Sequence, residues 1–157
     1  MVRNDKLDDN MITHNSNLLY YITNDVYTFQ RFDAMVDRMK NYPDELYEIN
    51  STGETILIIA IRLRKKLTLI LLSQITEEFD IDAQDNNGWT ALMWACRYAN
   101  QSYSFDLIDM LLDKGVDTNI VNYQGMTAMD ILAKYHKNTK NHDIIKIAGM
   151  MIAYGTE

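Results

Sequence analysis

The chain has 157 residues, of which 47% are apolar, enough for one folded domain with a continuous core. Its net charge of −7 excludes general nucleic-acid binding, because phosphate contact needs clustered Lys and Arg. The single cysteine, Cys96, excludes an internal disulfide and fits a reducing, intracellular setting, and no apolar run is long enough to span a bilayer.

Residues 1–14 are polar and read as a frayed leader, not a secretory signal. Asn15-Ser16 then offers a cap for a short helix carrying Leu18, Leu19 and Ile22. From Val26 to Met39, apolar residues fall at steps of three and four (Val26, Phe29, Phe32, Met35, Val36, Met39), the mark of an amphipathic helix. It stops before Asn41-Tyr42-Pro43, where proline disfavours helix. Residues 15–49 thus read as an atypical terminal unit with one face in water.

A phrase then recurs three times: Gly53-Glu54-Thr55-Ile56-Leu57, Gly88-Trp89-Thr90-Ala91-Leu92 and Gly125-Met126-Thr127-Ala128-Met129. The glycines stand 35 and 37 residues apart, a period that predicts stacked supersecondary units at 50–84, 85–121 and 122–157. Each unit opens on an Asx-rich turn ending in glycine, and a threonine two residues later is placed to cap a helix. First helices are predicted at Ile56–Leu63, Ala91–Tyr98 and Ala128–Tyr135, and second helices at Leu67–Ile75, Phe105–Asp113 and Asp143–Ala153. Arg62, Arg64, Lys65 and Lys66 between the first two helices read as a solvated loop in preference to a nuclear import address.

These residues resemble the ankyrin repeat, whose pattern runs D-x-x-G-x-T-P-L-H-x-A, then a second helix ending in leucines, then G-A-D-x-N. The middle unit carries Asp85, Gly88, Thr90, Leu92 and Ala95 on the first part, and Leu111-Leu112-Asp113-Lys114-Gly115-Val116-Asp117-Thr118-Asn119 on the last. The pattern's Pro is replaced by Ile56, Ala91 and Ala128, its His by Ile58, Met93 and Asp130, and its inner Ala in the last unit by Leu132. The resemblance implies an all-α solenoid of helix-turn-helix units with short fingers and a degenerate N-terminal cap. The Gly-Trp-Thr-Ala-Leu-Met phrase is similar to the ankyrin subtype of large DNA viruses, which would make the partner a host protein.

The resemblance implies a non-enzymatic module that binds another protein through its finger tips and the concave side of the first helices. It would act as an adaptor or a competitive inhibitor of an intracellular partner. The expected contact residues are Arg62, Asn87, Trp89, Arg97, Tyr98, Tyr123, Met126 and Tyr135, with Thr52, Glu54, Asn86, Gln124 and Lys134 at neighbouring places. Trp, Tyr and Arg are the types that dominate interface hot spots. Trp94 and Cys96 are expected in the core. Asn119, with Leu111 and Asp117, resembles the pattern read by the family's asparaginyl hydroxylase and is a candidate for hydroxylation. A decoy or substrate role for that enzyme, or recruitment of a ubiquitin ligase, are the alternatives. No phosphate loop, nucleophile motif or metal-ligand spacing is present, and His136 and His142 read as solvated loop residues. No cofactor, nucleic acid or membrane is expected as a partner. The chain is expected in the cytoplasm, with the nucleus as the alternative, as a monomer, and Ile147, Met150, Met151 and Ile152 of the final helix either offer a dimer surface or seal the core.

Overall fold

Each glycine of the recurring phrase takes a positive φ (73° at Gly53, 76° at Gly88, 75° at Gly125), and a helix starts three residues later. The computed structural model describes residues 18, 22, 36–63 and 68–155. The leader, most of the helix expected from Val26, and Arg64, Lys65 and Lys66 lie outside these residues. The first helices are α1 (Ile56–Arg62), α3 (Ala91–Arg97) and α5 (Ala128–Tyr135). The second helices are α2 (Thr68–Gln74), α4 (Ser104–Asp113) and α6 (His142–Tyr154). The described residues contain no strand, only an isolated antiparallel bridge between Ile49 and Thr55.

Threonine starts every first helix by the same bond. The hydroxyls of Thr55, Thr90 and Thr127 accept from the N–H of Ile58, Met93 and Asp130 at 3.3, 3.3 and 3.2 Å. In the last unit the Asp130 carboxylate also accepts from the Thr127 N–H at 2.9 Å, closing a capping box. This explains why aspartate replaces the pattern's histidine there. The same N–H holds the Asp130 carboxyl below its ordinary range.

The helices form two layers. In one, α3 packs between α1 and α5; in the other, α4 packs between α2 and α6, and each first helix packs on its own second helix. The layers meet over a core that includes Leu72, Leu92, Leu107, Ile108, Leu111, Ile131, Ile147 and Met151. Cys96 is fully buried with its Sγ 3.6 Å from the Met151 sulfur, and burial pushes its thiol far above the usual range, so it fills space. Successive fingers are joined backbone to backbone, from Asn86 N to Thr52 O at 3.0 Å and from Tyr123 N to Asn87 O at 3.2 Å. Gly88 is needed for this second junction as well as for its φ, since a Cβ there would lie 2.8 Å from the Tyr123 nitrogen.

Ahead of α1, residues 36–41 are helical and Pro43–Tyr47 form a 3-10 turn where the sequence indicated only a break. Glu45 ties this region together, accepting from Arg38 Nε and from the backbone N–H of Leu18, both at 2.8 Å.

One sequence expectation is corrected and one open alternative is decided. His136 is half-buried, not a solvated loop residue, and its Nε2 lies 3.0 Å from the Cys96 carbonyl, linking the ends of α5 and α3. On α6, Ile144, Ile147 and Met151 recur at three and four residues and are buried against the core, so Ile147 and Met151 offer nothing to a second copy. Ile152 of that set and Ile145, seven residues before it, carry the exposed face.

Candidate binding face on the first helices

The Asx residue that opens each turn sets the site. A single Oδ1 of Asn50, Asp85 or Asn122 accepts two backbone N–H groups, from the residues two and four further on, at 2.8–3.0 Å. This tight loop places the residue after the glycine over the last turn of the helix that follows. There it meets the residue eight positions later. The result is a column of three pairs along the first-helix layer: Glu54 with Arg62, Trp89 with Arg97, and Met126 with Lys134.

The three pairs differ in chemistry. Arg62 binds both oxygens of Glu54, with Nη2 to Oε2 at 3.2 Å, and Asn50 Nδ2 donates to Oε2 at 2.8 Å. Burial raises the Glu54 carboxyl, but the bonds from Arg62, Asn50 and Thr52 outweigh it and the net shift is below the ordinary range. In the middle pair the Arg97 guanidinium sits among four rings, 5.7 Å from Trp89, 5.6 Å from Trp94, 5.7 Å from Tyr98 and 4.6 Å from Tyr135. Its Nη1 donates to the Tyr135 hydroxyl at 2.9 Å. Among the described residues, Lys134 meets only the Met126 sulfur at 3.9 Å and the Tyr135 ring at 5.8 Å.

The structure brings Arg62, Arg97, Tyr98, Met126 and Tyr135 onto this face and leaves Asn87 and Tyr123 on the finger tips, where Tyr123 is 76% exposed. Trp89 departs from its expected place at an exposed tip. It is 6% exposed, with its ring 4.7 Å from that of Trp94, and it supports Arg97 from beneath. Trp94, expected in the core, packs against it but is half-buried on this face, tilted on Trp89 and stacked on Tyr98, with Nε1 donating to Asp85 Oδ2 at 3.0 Å. A signal for this existed in the sequence. The one unit with tryptophan six residues past its glycine is also the one whose turn residue is Asp85, an acceptor, while the other two carry Asn50 and Asn122 with Ile59 and Ile131. Asn119 lies exposed between units, its backbone N–H held by Asp117 Oδ1 at 2.8 Å.

Among the described residues no group of three or more His, Cys, Asp or Glu side chains converges as metal ligands, and no helix is long and apolar enough to cross a membrane.

Repeated turns, capped short helices and a two-layer stack define a class of protein built from small helical repeats. A family model described as "Ankyrin repeats (3 copies)" matches residues 31–122 and 67–148, and the chain belongs to that family of protein-interaction modules. It is similar to ankyrin repeat protein L86 of Acanthamoeba polyphaga mimivirus, 32% identical over 82 residues covering 48% of this chain and 14% of that protein. It is 40% identical to ankyrin repeat protein L122 of the same virus over 52 residues, 33% of this chain and 8% of that one. These likenesses agree with the viral-type phrase in the sequence. It is also 41% identical over 51 residues to NAD-capped RNA hydrolase NUDT12 of Homo sapiens, 32% of this chain and 10% of the hydrolase. The chain spans a small part of each of these relatives, too little to carry over any whole-protein activity.

Proposed function

We propose that the chain works by gripping another protein on the palm formed by α1, α3 and α5 and on the adjoining finger tips, as an adaptor or competitive inhibitor in an intracellular setting, without chemistry of its own. The observation that carries this reading is the Arg97 cluster. One guanidinium is held among four aromatic rings, of which Tyr135 is exposed, and Tyr123 stands exposed on the finger tip of the next unit. Aromatic rings and arginine, held rigid before contact, are the ingredients of an interface anchor. The test is quantitative capture from cell lysate by Arg97→Ala, Tyr123→Ala and Tyr135→Ala, beside a control on the outer layer, Asp106→Ala. Specific captures should fall in the palm variants and hold in the control. Equal capture by all four removes the palm from consideration.

The exposure of Asn119 favours a second reading, in which an asparaginyl hydroxylase modifies it. Incubation with that enzyme should add the mass of one oxygen to the peptide containing Asn119, and an unchanged mass ends the idea.

A further inference from the structure

We propose that the palm of the C-terminal unit binds a carboxylate side chain from an acidic peptide segment, at the place that Glu54 fills from within the chain two units earlier. The proposal rests on the palm reading above and gives its partner a chemistry.

The chain holds its own template. Asn50, Asp85 and Asn122 each spend Oδ1 on two backbone N–H groups, which fixes where the other side-chain atom points. In the first of these units that atom, Asn50 Nδ2, donates to the Glu54 carboxylate, and Arg62 donates to the same carboxylate. In the middle unit Asp85 Oδ2 accepts from Trp94. In the last unit Asn122 Nδ2 is buried, the residue 2% exposed, and has no hydrogen-bond partner among the described residues. A buried donor left unmade is costly and rare.

The cation of the template is present as well. Lys134 stands in the register of Arg62, and no carboxylate pairs with it among the described residues. Its contact is the Met126 sulfur, a weak acceptor. Arg97 also lacks a carboxylate partner among the described residues, and it shares the Tyr135 ring with Lys134. Asp130, the carboxylate on the same helix, is engaged by Thr127 at the helix start. Lys134 and one orphaned amide donor therefore flank a residue that differs from Glu54 by lacking the carboxylate, and Arg97 adds a second cation across the Tyr135 ring. That residue is methionine, unbranched and half-exposed, able to change rotamer as a ligand enters. In a chain of net charge −7 such a cluster selects for an anionic partner segment.

The test titrates the 15N-labelled chain with an acetylated, amidated peptide of alternating glutamate and glycine. Parallel arms use its glutamine and phosphoserine counterparts. The Asn122 side-chain amide signals should move saturably with the glutamate peptide, and the glutamine peptide should bind about tenfold more weakly. Lys134→Ala should weaken binding by a similar factor. Met126→Glu rebuilds the Glu54 arrangement inside the last unit. It should unfold no earlier than the parent on heating and should lose the glutamate peptide. Still Asn122 signals, undiminished binding by Met126→Glu, or a phosphoserine peptide bound more tightly than the glutamate one would overturn the assignment. The titration uses no natural partner, so its failure leaves the palm reading standing, and loss of lysate capture in Tyr135→Ala tests that reading separately.

Discussion

α1 and α5 hold the same place in their units, yet α1 buries all six residues from Ile56 to Ile61 while α5 buries only Ala128, Ile131 and Leu132. Both start from a threonine cap and both pack on a partner helix. What separates them is how much of each helix is covered: α3 lies against one side of α5, and the positions of α5 matching buried Met93 and Cys96 of α3 are the exposed Asp130 and Ala133. Burial in a repeat stack is a property of the junction and not of the single helix. The composition follows it, with isoleucine, leucine and a single alanine where a helix is enclosed and charge where it is not.

The largest expected effect breaks this comparison at its enclosed end. Ile59→Ala should cost roughly 2–5 kcal/mol, since the cavity cannot collapse between packed helices. Ile152→Ala, on the exposed face of α6, should stay within about 0.5 kcal/mol. Urea denaturation of both measures the contrast, and equal costs would refute it.

Next comes the ion pair that the last unit lacks. Glu54→Gln should cost about 1–3 kcal/mol by leaving Arg62 without its carboxylate. Because Glu54 is held below the ordinary range, its contribution is complete above the unfolded glutamate value of about 4.3 and is lost as pH falls through the lower folded value. The gap between parent and Glu54→Gln should therefore close in acid. A gap independent of pH would assign the loss to packing alone.

Gly88 and Gly125 sharpen the comparison between units further. Both hold φ near 75°, but only at Gly88 would a new Cβ meet the following finger. Alanine should cost about 1–3 kcal/mol for strain at either site, with more at Gly88. Thermal unfolding that ranks Gly125→Ala as the worse variant would contradict the finger junction.

The smallest effect lies between fingers. Burial first, then the nearby Asp117 and Asp80 carboxylates, push Asp82 above its usual range against the lowering bond from the Asp117 N–H. The ionised form is disfavoured in the fold, so stability falls as pH rises through that value. Asp82→Asn keeps an oxygen for the Asp117 N–H, bonded at 3.1 Å, and should stabilise by no more than about 0.5 kcal/mol at neutral pH. A loss of stability would mean that the charge strengthens that bond enough to offset its burial.

What was legible in the sequence was whatever depends on near neighbours. The Asx residue, the glycine and the capping threonine act within six positions of one another, so their spacing revealed the turns and helix starts directly. The Arg62, Arg97 and Lys134 column was visible as a repeat register. The degree of burial of the two tryptophans is not legible from the turn alone, because each ring is placed by a side-chain contact eight or nine residues away. Trp89 is buried under Arg97, and Trp94 is drawn to the palm by Asp85, nine residues before it. The bond of His136 is less legible still, since its partner is a carbonyl 40 residues away in the preceding unit.

The amino-acid order alone determined the repeat, its period, the capped helices and the family, because hydrogen bonds between close residues and helical periodicity are written locally. Only the tertiary structure decided which aromatic is hidden and which offered, which arginine is neutralised, and where a buried amide is left without an acceptor. Those outcomes arise where a side chain folds back on one eight or nine positions away, or where units lean on one another, and neither follows from backbone bonds between close residues.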